Sequence, residues 1–299
     1  MSQHIGFVGL GVMGVPMTLN LLKAGFQVSV YNRTPGRAEA VTKAGAKVAS
    51  NLEVLARDTE VVVLMLTGPE AIDAVVFGEG GLLPGLKPEG QKPGKTLINM
   101  STVPPDYSRE LAARLASCRV GFIDAPVSGS KKPAEDGTLV ILAGGAEPEI
   151  ARFEPVLLAM GKKVVRCGPA GAGSAMKLTA NLLVSAMVLG LAEAVNFGAA
   201  SGLDPAAFME VVGAGPMANI IFGTKTDMMV TDQFPAQFAL KHMLKDLRYI
   251  LSAADAAGAA IPATHTAFQL YRQAAGKGLG EADLAAVKTV LAAMSQGGE

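Results

Sequence analysis

Residues 168–181 read GPAGAGSAMKLTAN and place an ammonium group, Lys177, four positions before an amide, Asn181, beside three glycines. In a helix, side chains at i and i+4 share a face. An ammonium at the start of such a helix can protonate a carbonyl oxygen as negative charge develops on it, and the amide can donate a hydrogen bond to the same oxygen or to a hydroxyl. The glycines would let a substrate and a neighbouring layer of chain come close. Spacing alone also admits a plainer reading, a surface lysine whose stem lies along apolar side chains while its charge stays in water.

A second constellation lies near the start of the chain. Gly9, Gly11 and Gly14, with Leu10, Val12 and Met13 among them, form G-x-G-x-x-G. The motif follows a short apolar run, HIGFVG (4–9), and leads into a helical pattern, VPMTLNLLKAG (15–25). In that setting the first glycine permits a tight turn, the second admits a dinucleotide pyrophosphate, and the third lets helix and strand approach. The free N–H groups and dipole of the helix N-terminus then face the phosphates. The next strand pattern, QVSVYN, ends on Asn32, where an NAD enzyme usually carries an acid for the ribose 2′-hydroxyl. Arg33 and Thr34 follow, with Arg37 nearby. A guanidinium suits a 2′-phosphate that a carboxylate would repel. NADP(H) is therefore expected in preference to NAD(H).

These groups need elements to hold them. Short apolar runs recur at VVVLML (61–66), TLINMS (96–101), VGFIDAPV (120–127) and TLVILAGG (138–145), with helical stretches such as RAEAVTKAG and YSRELAARLASC between them. That alternation predicts a mostly parallel sheet covered on both faces. Met65 and Leu66, closing the first of these runs, are candidate cofactor contacts. The stretch GEGGLLPGLKPEGQKPGK (78–95) reads as a loop or a short capped turn. After residue 168 strand patterns give way to helical ones: GLDPAAFMEVV, with Asp204 as N-cap and Pro205 at the first helical position, then FALKHMLKDLRYILSAADAAG (238–258) and ADLAAVKTVLAAM (282–294), with Asp283 as N-cap. The expected architecture is a Rossmann-type α/β cofactor domain, 1–165, followed by an all-α domain, 166–299. A long helix from about residue 174 to 200 joins them, spanning roughly 40 Å.

Composition narrows the function. Lys+Arg and Asp+Glu number 26 each, so no global field favours nucleic acid or an anionic membrane. Two distant cysteines and three scattered histidines offer neither a disulfide framework nor a metal-ligand spacing, and no metal is expected. The apolar stretch 182–200 is interrupted by Glu193 and Asn196 and reads as a buried helix, not a membrane span. The start, MSQHIGFVGLGVMG, has no basic segment before its glycine loop, and a cytoplasmic, reducing location is the expectation.

Four segments resemble the β-hydroxyacid dehydrogenase family, in the family's order from residue 6 to 247. GFVGLGVMGVPMTLNLLKAG resembles its cofactor motif, DAPVSGS (124–130) its substrate motif, GPAGAGSAMKLTAN its catalytic motif, and KDL (245–247) its C-terminal cofactor motif. The resemblance implies that Lys177 is the catalytic lysine and Asn181 its partner in substrate binding. It implies that Ser128 and Gly129 bind the substrate carboxylate, that Thr102 lies near nicotinamide and substrate, that Lys245 contacts the cofactor with Asp246 beside it, and that Phe238 closes the pocket. Many members read S-G-G where this chain reads SGSKKPAEDGTLVIL (128–142), a string similar to plant-type glyoxylate/succinic semialdehyde reductases. The resemblance thus implies NADPH-dependent reduction of small aldehyde acids. 3-Hydroxyisobutyrate dehydrogenase and tartronate semialdehyde reductase are the alternatives within the family, and a non-catalytic cofactor-binding module is the alternative outside it. Lys131 and Lys132 read as a solvated loop pair that can add positive potential at a pocket mouth. Ala- and Met-rich helices with few charges suggest a homodimer or homotetramer.

Overall fold

The computed structural model describes residues 3–88 and 94–296. The chain divides into two compact units, Met1–Lys177 and Leu178–Glu299. The expected join near 165 falls within the last strand of the first unit, and the boundary between the units falls inside the long helix.

The first unit runs β1 (His4–Val8), α1 (Gly14–Lys23), β2 (Gln27–Tyr31), α2 (Glu39–Lys43), β3 (Lys47–Val48), α3 (Leu52–Asp58), β4 (Val61–Leu64), α4 (Pro69–Phe77), α5 (Leu83–Leu86), β5 (Thr96–Asn99), α6 (Pro105–Ser117), β6 (Gly121–Asp124), β7 (Val127–Ser128), α7 (Lys131–Glu135), β8 (Leu139–Gly145), α8 (Glu147–Met160) and β9 (Gly161–Gly168). The strands form one sheet in the order β3-β2-β1-β4-β5-β6-β8-β7, with β9 on β8. The six strands from β3 to β6 are parallel, as the alternation predicts; β8 runs antiparallel to β6 and β7. Ile5 of β1 stands opposite Val28 of β2 and Val61 of β4. Successive side chains point to opposite faces. Val61 and Val63 therefore enter one core with Met17 and Leu21 of α1, while Val62 and Leu64 enter another with Leu55, Leu111 and Leu115. Two buried faces explain why the central strands read as unbroken apolar runs.

Three expectations need correction. VGFIDAPV is not one strand: β6 stops at Asp124 and β7 begins at Val127. Pro126 has no N–H for a ladder, and its carbonyl accepts from Leu142 N of β8 instead. The stretch 78–95 contains the short helix α5, with residues 89–93 outside the described ones. Lys131 and Lys132 are not in a loop but open α7, each paired with the acid four residues on, Glu135 and Asp136.

The helix α9 (Ala172–Ala200) starts in the first unit and continues into the second. By length and composition it could cross a bilayer. One face of it, Val188, Leu191, Ala192 and Val195, belongs to the core of the second unit. The second unit continues with α10 (Pro205–Ala214), α11 (Ile220–Thr231), α12 (Leu240–Ala257), α13 (Pro262–Gly276) and α14 (Lys288–Gln296). Asp204 caps α10 as expected, accepting from Ala206 N with Pro205 following, and Gly258 ends α12 in the left-handed conformation. Asp283 does not open a helix over 282–294. It caps a 3-10 turn, Leu284–Val287, and α14 begins only at Lys288.

Candidate active site

Gly9, Gly11 and Gly14 join β1 to α1, and each has a distinct reason to lack a side chain. Gly9 has φ +104°, a left-handed value that favours glycine. A Cβ on Gly14 would run into the Gly9 carbonyl oxygen, so the turn cannot close around a larger residue. A Cβ on Gly11 would meet nothing within 4 Å, which leaves the open approach a pyrophosphate needs. The first turn of α1 carries no acidic residue to repel an anion. Leu10 N donates to Asn32 Oδ1 at 2.9 Å, and Asn32 Nδ2 donates to the Thr34 carbonyl at 2.8 Å. Asn32 thus ties the glycine loop to the end of β2, while Val12 and Met13 cross the head of the loop. Arg33 and Thr34 are exposed just beyond, as is Arg37, and neither arginine makes an ion pair among the described residues. The residues present fit a dinucleotide.

The neighbouring strands end in the same region of the sheet. Met65 N donates to the Val8 carbonyl at 2.9 Å, and Leu66 N donates to Ser101 Oγ at 2.9 Å. Met65 and Leu66 therefore lie past the end of β4, not within a strand, and Thr102 follows Ser101, half-buried. Ser128 closes β7 opposite Val140. Gly129 turns at φ +132°, and a Cβ there would press on Leu139 at 2.8 Å and Pro133 at 3.0 Å.

Lys177 lies on the second turn of α9 and is 9% exposed, which sets aside the surface lysine with its charge in water. The glycines before it serve packing. A Cβ on Gly173 would strike the Leu142 and Asp124 carbonyl oxygens, and one on Gly144 would approach Pro169 O at 2.7 Å and Gly173 N at 2.8 Å. Beneath this helix start sits Asp124, fully buried. Its carboxylate accepts from Gly171 N (3.1 Å), Ser174 N (2.8 Å) and Ser174 Oγ (2.7 Å). Burial pushes its carboxyl up from the ordinary carboxylate range, and the Ser174 and Gly171 donors pull it back.

In the second unit Asn181, one turn beyond Lys177 on the same helix, donates through Nδ2 to Asp246 Oδ2 at 2.7 Å; both residues are buried. Lys245 Nζ stands 3.0 Å from Asp246 Oδ1 as an ion pair without hydrogen-bond alignment, and 4.7 Å from the Tyr249 ring centroid. Burial, with Lys241 and Lys245, pushes the His242 imidazole down from its ordinary value. Phe238 precedes α12, half-buried against the helical core. The structure thus groups Gly9, Asn32 and Thr34, groups Met65 and Leu66 with Ser101, and groups Asn181 with Lys245 and Asp246.

Sequence reasoning passed over Asp124, Ser174 and Lys225. The first two stand inside quoted motifs, but nothing in their spacing joins residue 124 to 174. Lys225 Nζ lies 2.8 Å from Asp283 Oδ1 with both side chains buried. Asp283 Oδ2 also accepts from Gln237 N (3.0 Å) and Phe238 N (3.1 Å), so this pair holds the segment that carries Phe238.

Residues 4–168 match the family described as the NAD binding domain of 6-phosphogluconate dehydrogenase, and residues 171–291 that described as NAD-binding of NADP-dependent 3-hydroxyisobutyrate dehydrogenase. The chain belongs to the β-hydroxyacid dehydrogenases and is an NAD(P)-dependent oxidoreductase. It is 36% identical over 292 residues to glyoxylate/succinic semialdehyde reductase 2, chloroplastic, of Arabidopsis thaliana, covering 98% of this chain and 80% of that protein. Glyoxylate/succinic semialdehyde reductase 1 of the same plant is 35% identical over 285 residues, covering 95% and 97%. Among solved structures, 3-hydroxyisobutyrate dehydrogenase from Salmonella typhimurium superposes with a TM-score of 0.87 at 27% identity, covering 97% of this chain and 100% of that one.

Proposed function

We propose that this enzyme reduces small aldehyde acids with NADPH, glyoxylate to glycolate and succinic semialdehyde to 4-hydroxybutyrate. The observation that carries this reading is Lys177, a nearly buried lysine in the second turn of α9. When bound, the dinucleotide supplies a hydride. Ser128 Oγ and the backbone N–H at Gly129 hold the substrate carboxylate. Lys177 Nζ gives its proton to the aldehyde oxygen as charge gathers there, and the product is a primary alcohol. Asn181, oriented by Asp246, donates a hydrogen bond to substrate oxygen. Reduction requires the protonated lysine and oxidation the neutral one, so oxidation improves as pH rises.

Gly9 to Gly14 hold the cofactor, with Met65, Leu66 and Thr102 at its nicotinamide end; for Lys245 and Phe238 the family resemblance is what supports a cofactor contact and a substrate contact. Arg33 and Thr34 select the 2′-phosphate. Similarity to the two plant reductases supports the aldehyde acids, and similarity to the Salmonella enzyme supports 3-hydroxyisobutyrate as the second reading. The chain acts as a homo-oligomer, a reading supported by Leu183 and Phe197, exposed at 59% and 72% on the outward face of α9.

Initial rates of cofactor oxidation test the proposal with glyoxylate, succinic semialdehyde and methylmalonate semialdehyde, each with NADPH and NADH. The highest kcat/KM is expected for one of the first two with NADPH. A preference for methylmalonate semialdehyde with NADH would move the assignment to 3-hydroxyisobutyrate dehydrogenase, and no turnover of any would make the chain a binding module.

A further inference from the structure

We propose that Asp124 is a positioning residue for the reaction: its buried carboxylate clamps the first turn of α9 and so sets where Lys177 presents its ammonium. The inference rests on the reading of Lys177 as proton donor.

A helix begins with backbone N–H groups that have no partner within the helix. The usual remedy is a Ser, Thr, Asp or Asn immediately before the first turn. Here Pro169, Ala170 and Gly171 precede α9, and none has a side chain that can accept. The acceptor comes instead from about 50 residues upstream, at the end of β6. One oxygen of Asp124 takes Gly171 N and Ser174 N; the other takes the Ser174 hydroxyl. Both oxygens are committed, and Asp124 and Ser174 are both fully buried. A negative group at this end of the helix is also favoured by the helix dipole.

The clamp works because the helix can come close. Gly144 and Gly173 lie where any Cβ would collide with backbone. Lys177 follows Ser174 by three positions, one turn on along the same side of α9. A shift or rotation of the clamped turn therefore moves the ammonium with it. Asp124 also lies four residues before Ser128 on the segment that crosses from β6 to β7. A single carboxylate thus fixes the start of the lysine's helix to the chain that carries Ser128. Displacement of a catalytic group by about 1 Å can cost about 100-fold in rate.

The test compares Asp124→Ala, Asp124→Asn, Ser174→Ala and Lys177→Ala as full-length protein. The readouts are kcat and KM for the better of glyoxylate and succinic semialdehyde at saturating NADPH, the Kd for NADPH by fluorescence, and far-UV circular dichroism. Asp124→Ala is expected to lower kcat about 100-fold while KM and the NADPH Kd stay within about threefold. Asp124→Asn keeps an oxygen for the two N–H groups and can donate to the Ser174 hydroxyl, so it should restore most of kcat. Ser174→Ala removes one of the three bonds, folds even if Asp124→Ala does not, and should lower kcat about tenfold with the same split. A kcat within twofold of wild type in folded Asp124→Ala or Ser174→Ala, with Lys177→Ala inactive, would overturn the clamp and leave the lysine's role standing. Equal loss of kcat and NADPH affinity would also overturn it, because that pattern reports a loosened unit. Wild-type kcat in Lys177→Ala would remove the reading of the lysine, and the clamp with it.

Discussion

Arg33 and Asn32 divide the work at the end of β2. Asn32 spends both ends of its amide on backbone, accepting from Leu10 N and donating to Thr34 O, while Arg33 faces solvent. Arg33→Ala should therefore leave the loop intact. We expect KM for NADPH to rise about tenfold or more, the scale of hydrogen bonds to charged groups, with NADH kinetics unchanged. An equal loss with both cofactors would mean that Arg33 supports the fold and does not read the 2′-phosphate. At this scale the sequence was legible where a motif is local. Gly9, Gly11 and Gly14 sit within six residues and each role follows from the turn they build. Gly144, Gly173 and Asp124 were illegible because their partners lie far along the chain and only the folded sheet brings them together.

Among the elements, the apolar parallel strands and the cap at Asp204 could be read directly, because burial on two faces and cap chemistry both leave local patterns. β9 escaped notice because Lys162, Lys163 and Arg166 break its apolar pattern, and among the described residues it pairs with β8 alone. Charges of this kind are what an exposed edge carries. The split of β6 from β7 hinges on Pro126, and the 3-10 turn after Asp283 is set by tertiary bonds. Asp283 is held by Lys225 and by backbone from residues 237 and 238. Lys225→Met leaves that carboxylate buried without its cation. Denaturant unfolding should show a loss of about 3 kcal/mol, the lower end for breaking a buried pair, because three N–H groups still satisfy Asp283. A change under about 0.5 kcal/mol would mean that the pair adds nothing beyond those bonds.

For the molecule as a whole, composition set the outline well: balanced charge and ample apolar content fit a two-unit enzyme built on two kinds of core. The exposed apolar residues of α9 were only hinted at by the scarcity of charge, since a helix pattern does not say which side stays uncovered. On α9 the outward line Leu183, Gly190 and Phe197 recurs every seven residues, and Ile220 is 86% exposed on α11. Sedimentation equilibrium should give a multiple of the 30.6 kDa chain mass, and Leu183→Lys with Phe197→Glu should shift it towards one copy. A wild-type protein already at the single-chain mass would leave that apolar line without a partner copy. The reach of Asp124 to Gly171 and Ser174 also bears on how the protein is made. During synthesis the amino end emerges first, so Asp124 leaves the ribosome before α9 does. Starting a helix is its costly step, and here the acceptor for the first turn of a 29-residue helix emerges ahead of it. A circularly permuted gene that delivered α9 ahead of β6 would reverse that order of arrival, and the nascent helix would then emerge with its first turn uncapped.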